Sequence, residues 1–133
     1  MSANVLNSQD LILKDECFMI VGLAMKIHNK LGRGFKEIVY KDALELELQK
    51  NNIPYTREHS FNIRYEDVIL RHSFIADYFV FNAIILEVKS TSFIQAEAFR
   101  QTLNYLKASQ IQLGIILNFG SERLDFKRVV CTY

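Results

Sequence analysis

The pattern of apolar and polar residues along the 133-residue chain predicts an α/β fold with a mixed central sheet flanked by helices. Two helical patterns come first, three strand patterns follow, and a helix and two strands complete the order ααβββαββ. Two apolar runs, Tyr78–Phe81 and Ile84–Leu86, predict a buried β-hairpin. The short run Gln112–Asn118, whose interior is entirely apolar, predicts a central strand that is covered on both faces.

Composition predicts one globular domain over residues 1–133. Half of the residues are hydrophobic and 23% are charged, which is ordinary for a protein with a packed core. The net charge of +1 means that any basic surface for nucleic acid must be local. Cys17 and Cys131 are far apart and predict reduced thiols in a cytoplasmic protein. The sequence has no signal peptide and no apolar run of about 20 residues, so we expect no membrane span.

The two N-terminal helices are predicted from periodicity and from the residues that end them. Residues 1–13 are expected to form a loose arm. Apolar residues recur at helical spacing over Glu16–Leu31, and the glycines of Gly32-Arg33-Gly34 tolerate the positive φ that ends a helix. The second helix, Lys36–Lys50, is rich in Leu, Glu and Lys, and Asn51–Pro54 ends it.

The remaining elements are predicted from alternation, turn residues and one further helical pattern. A turn at Glu66-Asp67 separates the first two strands, and helical periodicity returns once before the last two strands. The predicted elements are the strands Tyr55–Tyr65, Val68–Phe81 and Ile84–Thr91, the helix Ile94–Ala108, and the strands Gln112–Asn118 and Leu124–Val130.

Charged residues interrupt the predicted hairpin at Asp77, Glu87 and Lys89. With a loop of two residues, Asp77 would point away from Glu87. With a three-residue loop, Val80 pairs with Ile84 and Asp77 lies opposite Glu87, about 5 Å away between Cβ atoms. We favour the three-residue loop. The two carboxylates would then share a cation, or an acid would form an ion pair with Lys89 at a sheet edge.

Two of the predicted helices carry further candidate site residues. On the second helix, Glu37 shares a face with Tyr40, so it is either aimed into a site or is a routine first-turn acid. On the third helix, Gln101 and Tyr105 are four residues apart and stack on one face. That face is predicted to lie nearly opposite the apolar side marked by Phe99, Leu103 and Leu106. Its alternative interpretation is a solvated surface.

Together these residues resemble the signature of the PD-(D/E)xK nuclease superfamily. Asp77 is followed ten residues later by Glu87-Val88-Lys89, although Ala76 stands where that signature has proline. An acid on the preceding helix, Glu37, fits the same pattern. Gln101-x-x-x-Tyr105 is similar to the Gln-x-x-x-Tyr element of the exonuclease-type branch.

A closer resemblance is to the GxxExxY protein family within that superfamily. Gly34-x-x-Glu37-x-x-Tyr40 matches the motif that names the family, and the similarity runs from about Ile20 to Val130. The chain departs from the family pattern at Ile75, where arginine is common before Ala-Asp. That departure predicts weaker phosphate binding.

The resemblance implies a site and a function. Asp77, Glu87 and the main-chain carbonyl of Val88 would bind Mg²⁺ or Mn²⁺, and Glu37 would bind water on that metal or a second metal ion. Lys89 would orient the attacking water, and Gln101 and Tyr105 would position the motif or a substrate phosphate. The implied function is a metal-dependent nuclease acting on DNA or RNA. The alternative is a non-catalytic nuclease-fold module that binds nucleic acid or a partner protein. For specificity, a lone nuclease core would need a partner protein or a homodimer.

Overall fold

The computed structural model describes residues 12–133 and contains three helices and five strands in the predicted order ααβββαββ. The element boundaries all lie within two residues of the predicted ones. The elements are α1 (Lys14–Leu31), α2 (Glu37–Lys50), β1 (Tyr55–Tyr65), β2 (Val68–Val80), β3 (Ile84–Lys89), α3 (Ala96–Ser109), β4 (Leu113–Asn118) and β5 (Asp125–Val130).

The five strands form one mixed sheet in the order β1-β2-β3-β4-β5. Strands β3 and β4 are parallel, and every other neighbouring pair is antiparallel. Helix α3 makes the crossover between β3 and β4 that a parallel pair requires. The hairpin therefore contributes the middle strand of the sheet, and the predicted mixed architecture is confirmed.

Helices cover both faces of the sheet. On one face, α1 and α2 pack over a cluster that includes Tyr78, Leu86 and Ile115. On the other face, α3 packs over a smaller cluster that includes Ile85 and Ile116. All six residues of β4 are buried, as expected of a strand that has helices on both sides.

The long β1–β2 hairpin changes face at Asp77. Ala76 belongs to the cluster under α3, whereas Tyr78 belongs to the cluster under α1 and α2. A regular strand would place both residues on one face, because its side chains alternate with a period of two. Opposite Asp77, Glu58 has a φ of 54°, a left-handed conformation that is uncommon for a non-glycine residue. The backbone is therefore irregular where the first acid of the motif lies.

The N-terminal end of the described chain packs against the core. Ile12 and Leu13 are half-buried against the cluster under α1 and α2, and the Ile12 carbonyl accepts a hydrogen bond from Arg128. These two residues are therefore not part of a loose arm, and residues 1–11 of the predicted arm lie outside the described residues. Within residues 12–133, none of the helices combines the length and hydropathy that a membrane span needs.

Candidate functional site

The β2–β3 turn has the three-residue loop that the sequence favours. Val80 pairs with Ile84, and the Ala83 amide donates a hydrogen bond of 3.0 Å to the Val80 carbonyl. Phe81 and Asn82 both have positive φ, 56° and 52°, which lets the chain reverse so tightly. Continuing this register two pairs beyond Phe79 and Ile85 sets Asp77 opposite Glu87.

Where the regular hydrogen bonding between β2 and β3 ends, the two carboxylates accept hydrogen bonds from backbone amides in place of backbone carbonyls. Beyond the Tyr78–Leu86 pair, the Asp77 amide donates to Oε2 of Glu87 at 3.0 Å. The Val88 amide donates to Oδ2 of Asp77 at 2.7 Å. Each acid is therefore fixed by an amide of the opposite strand, and the strands separate just enough to hold both carboxylates between them.

Glu87 has an electrostatic environment that disfavours its charged form. Its side chain is buried, and this burial is the main reason why its pKa rises to about 7. The negative charge of Asp77 raises the pKa further, while the ammonium groups of Lys89 and Lys41 oppose the rise. The carboxylate pair thus has negative charge that its surroundings leave incompletely compensated.

Lys41 forms an ion pair with one acid of this pair, a contact that the sequence does not predict. Its Nζ lies 3.2 Å from Oδ1 of Asp77 and 3.5 Å from Oε1 of Glu58. In the sequence, Lys41 lies one helical turn after Glu37 and belongs with Lys36 to a basic cluster near the junction of the first two helices, a pattern typical of a solvated face. No sequence pattern marked Glu58, whose contact with Lys41 depends on its left-handed backbone.

Lys89, Glu37, Gln101 and Tyr105 line one open cavity of about 660 Å³ between α2, β3 and α3. The predicted proximity of Glu37 and Gln101 to Lys89 agrees with this placement. Arg100 and Asn104 line the same cavity. Asp77 and Glu87 do not contribute to its lining, so the carboxylate pair is not part of the cavity wall.

Tyr105 differs from its expected position opposite the apolar side of its helix. Its ring stacks on Phe74 at a centroid distance of 4.0 Å and packs against the cluster under α3. Burial raises the pKa of Tyr105, and the charges of Glu87 and Asp77 raise it further. Gln101, by contrast, is exposed and lines the cavity as a polar side chain. The ring of Tyr105 thus packs in the core under α3, and the two acids act on its hydroxyl electrostatically.

Tyr40 positions the loop that carries Glu37 into the cavity. Its hydroxyl donates to the Gly32 carbonyl at 2.5 Å and accepts from the Phe35 amide at 3.3 Å. Its ring stacks on Phe119 at 4.6 Å. Gly34 has a φ of 113°, a conformation that other residues rarely adopt, so the loop depends on glycine at this position. The Gly34-x-x-Glu37-x-x-Tyr40 spacing therefore has a structural role.

The segment after β4 fixes the end of β3 at Lys89. The Phe119 amide donates to the Lys89 carbonyl at 2.9 Å. Asn118 accepts from the Thr91 amide at 3.0 Å and donates to the Thr91 carbonyl at 2.9 Å. A Cβ at Gly120 would overlap the backbone of Thr91, so only glycine fits there. These contacts hold the backbone of Lys89 in place while its side chain faces the cavity.

The donor set at the hairpin fits a small divalent cation. Mg²⁺ prefers oxygen ligands and commonly uses one or two carboxylates, with water and substrate phosphate completing its coordination. Asp77 and Glu87 supply two such carboxylates, whose negative charge Lys41 compensates in part. Across residues 12–133, no three His, Cys, Asp or Glu side chains come together as a metal cluster, so Glu37 does not join the pair.

Comparisons with known proteins agree with the fold. A sequence model of the PD-(D/E)XK nuclease superfamily matches residues 14–129. The crystal structure of SSO0001 superposes with a TM-score of 0.56 at 18% sequence identity, covering 71% of this chain and 50% of that chain. The chain thus spans half the length of SSO0001, and at this identity the similarity concerns the fold alone. Curated proteins gave no match.

Proposed function

Because this chain belongs to the PD-(D/E)XK nuclease superfamily, we propose that it is a metal-dependent nuclease that hydrolyses phosphodiester bonds of DNA or RNA. The observation that carries the proposal is the paired arrangement of Asp77 and Glu87, each held by an amide of the opposite strand. Lys89 follows Glu87 by two residues and lines the adjacent cavity. Superfamily membership alone gives the nuclease class, and this arrangement supports an intact site.

The metal in this proposal is Mg²⁺ or Mn²⁺, held by Asp77, Glu87 and the main-chain carbonyl of Val88. When bound, such an ion acts as a Lewis acid toward phosphate oxygens and makes water a stronger nucleophile. Glu37 lies farther from the pair and would bind water at the rim or a second ion. The raised pKa of Glu87 supports this assignment, because a buried acid beside another acid favours a cation.

The remaining site residues act on water and phosphate. Lys89 would orient the attacking water and stabilise the negative charge that develops on the phosphate oxygens, where a preorganised cation has a large effect. Gln101 is exposed in the cavity and would donate to a substrate phosphate, and Arg100 on the same helix adds positive charge. Tyr105 would position the acidic pair from its place against Phe74.

We also propose that the chain is a single nuclease domain of the GxxExxY branch. The support is local: Tyr40 makes the hydrogen bonds that shape the loop before Glu37, so the residues of the motif act together. A cytoplasmic location is proposed on the free thiols of Cys17 and Cys131.

The direct test is a cleavage assay on single-stranded DNA, duplex DNA and RNA, with Mg²⁺, Mn²⁺ or a chelator. We expect cleavage only with a divalent ion and its loss in the Asp77→Asn variant. Asp42→Asn is the matched control, because Asp42 pairs with Arg57 at 2.8 Å and does not contact the candidate site. Cleavage that persists in chelator or in Asp77→Asn would contradict the proposal.

A second candidate function is a non-catalytic module that binds nucleic acid or a partner protein, as a monomer or a homodimer. The observation in its favour is the contact between Lys41 and Asp77, which compensates part of the acidic charge without a metal. In the same assay this candidate predicts retention of a nucleic acid or a partner without cleavage under any metal condition.

A further inference from the structure

Lys41 is a buried lysine whose ammonium group lies beside the carboxylate of Asp77, which is also a ligand in the proposed metal site. Its side chain is only 11% exposed, and its Nζ lies 3.2 Å from the carboxylate of Asp77. Charged lysines are rarely buried unless a partner compensates them. The acids nearest to its ammonium are Asp77 and Glu58.

The backbone of Lys41 is fixed to the strand that carries Asp77. The hydroxyl of Tyr78, the residue after Asp77, donates to the Lys41 carbonyl at 2.6 Å in a buried contact. Helix α2 and strand β2 are therefore joined at this residue by a hydrogen bond from a side-chain hydroxyl to a main-chain carbonyl and by a side-chain ion pair. The ammonium is held beside the acidic pair by the packing of α2, not by the chance orientation of a surface side chain.

We propose that Lys41 is a resident counter-cation that sets the metal affinity of the Asp77–Glu87 pair. In the metal-free protein its ammonium compensates Asp77, and a divalent ion must compete with it for that carboxylate. Glu58 offers Lys41 an alternative partner at 3.5 Å when the ion binds. The inference rests on the proposed metal site, and its test measures metal binding instead of cleavage.

Glu58 has the features needed of that alternative partner. It lies opposite Asp77 across the β1–β2 pair, and its side chain is 62% exposed. Its left-handed backbone interrupts an otherwise extended strand at this one point. A residue with the extended backbone of a regular strand would point its side chain in another direction. The geometry gives Lys41 an acid on each side, one of which does not belong to the proposed metal pair.

The test is calorimetric titration of Mn²⁺ into wild-type protein and Lys41→Met, together with thermal melts with and without Mn²⁺. We expect Lys41→Met to bind Mn²⁺ more tightly, on the order of tenfold, because a nearby positive charge has been removed. Its metal-free melting temperature should fall, and Mn²⁺ should raise that temperature more than it does in wild type.

Two further variants separate charge competition from simple packing. Glu58→Gln leaves Lys41 with Asp77 as its ion-pair partner, so Mn²⁺ affinity should fall, by about threefold. Lys26→Met is the matched control, because Lys26 of α1 pairs at 3.0 Å with Glu47, an acid on the same helix as Lys41. That control should leave Mn²⁺ affinity unchanged. If Lys41→Met does not fold, Glu58→Gln still tests the proposal. A lower Mn²⁺ affinity in that variant supports the proposal, and an unchanged or higher affinity contradicts it.

The outcomes also distinguish this inference from the proposed function. Wild type that binds Mn²⁺ and cleaves nucleic acid, with unchanged affinity in Lys41→Met and Glu58→Gln, would overturn the role of Lys41 and leave the nuclease proposal standing. Absence of Mn²⁺ binding in wild type and in Lys41→Met would overturn both. Opposite shifts in the two variants would support the inference, whichever nucleic acid is cleaved.

Discussion

The two faces of strand β3 differ in what they contribute to the protein. Ile84, Leu86 and Val88 face α1 and α2 within an apolar cluster and are completely buried. On the face toward α3, Ile85 is apolar, but the next two positions are Glu87 and Lys89. One face of the strand is therefore ordinary core, and the other ends in two charges.

The apolar residues of β3 stabilise the fold, whereas the charged residues on its other face have to be stabilised by the rest of the fold. Each fully buried leucine or isoleucine contributes about 1.5–3 kcal/mol through the hydrophobic effect. Glu87 does the opposite in its charged form, because burial raises its pKa to about 7. The apolar face thus offsets the cost of holding an acid where the site needs it. Variants on the two faces should consequently have different effects.

The largest effect on stability is expected on the apolar face. Leu86→Ala should lower the free energy of unfolding by about 2–5 kcal/mol, because it leaves a cavity in a closely packed cluster. Urea denaturation measures that loss. The folded fraction should keep its Mn²⁺ affinity, since Leu86 points away from the carboxylates. A stability loss below about 1 kcal/mol would contradict the assignment of this face to the core.

Lys89→Ala should lower cleavage by about 10²–10³-fold, which corresponds to roughly 3–4 kcal/mol of transition-state stabilisation. The reason is that Lys89 supplies positive charge at the cavity without being a metal ligand. Single-turnover cleavage and Mn²⁺ calorimetry together check this expectation. Melting temperature and Mn²⁺ affinity should not fall. A variant that melts far below wild type would instead identify Lys89 as a structural counter-ion of the acidic pair.

Glu87 should make the metal-free protein less stable as pH rises. The folded state keeps the Glu87 proton up to about pH 7, whereas the unfolded chain releases it near pH 4.5. Because the folded state binds more protons in this window, the unfolding free energy decreases with rising pH, by about 3 kcal/mol in total. The groups that act on Glu87 are Asp77, Lys41 and Lys89.

Denaturation of wild type and Glu87→Gln in chelator, between pH 4.5 and pH 7, isolates that contribution. The difference in unfolding free energy between the two proteins should shift in favour of Glu87→Gln as pH rises. Parallel pH profiles would show that Glu87 titrates normally and that its burial has no electrostatic cost.

The smallest effect is expected at the loop before Glu37. Tyr40→Phe removes a hydroxyl that binds the Gly32 carbonyl and the Phe35 amide. We expect a loss of about 1 kcal/mol, the usual net contribution of one hydrogen-bonding group, while the stacking on Phe119 remains. Thermal denaturation measures the loss. A change beyond about 3 kcal/mol would mean that the loop is part of the core itself.

The sequence predicted those features that depend on local pattern. Alternation and turn residues were sufficient for the element order, and the register followed once the loop was assigned as Phe81–Ala83. Residues within one turn or one hairpin determine each of these features. The proximity of Glu37 and Gln101 to Lys89 is likewise a prediction from the three-residue loop and from helical phase, and these side chains line one cavity.

Lys41, Glu58 and Tyr105 show where local pattern is insufficient. The ion pair of Lys41 depends on how α2 packs against β2, a contact between residues far apart in sequence. The left-handed backbone of Glu58 occurs at a residue type that gives no signal for it. Tyr105 was assigned to the wrong side of α3, because its stacking on Phe74 requires the hairpin to turn over at Asp77.

Calorimetric titration of Mn²⁺ into wild-type protein, Asp77→Asn and Asp42→Asn tests the central claim most directly. That claim is that the Asp77–Glu87 pair is a divalent-metal site. We expect wild type and the Asp42→Asn control to bind Mn²⁺ at a single site per chain, and Asp77→Asn to bind none. Equal Mn²⁺ binding by all three proteins, or no binding by wild type at neutral pH, would contradict the claim.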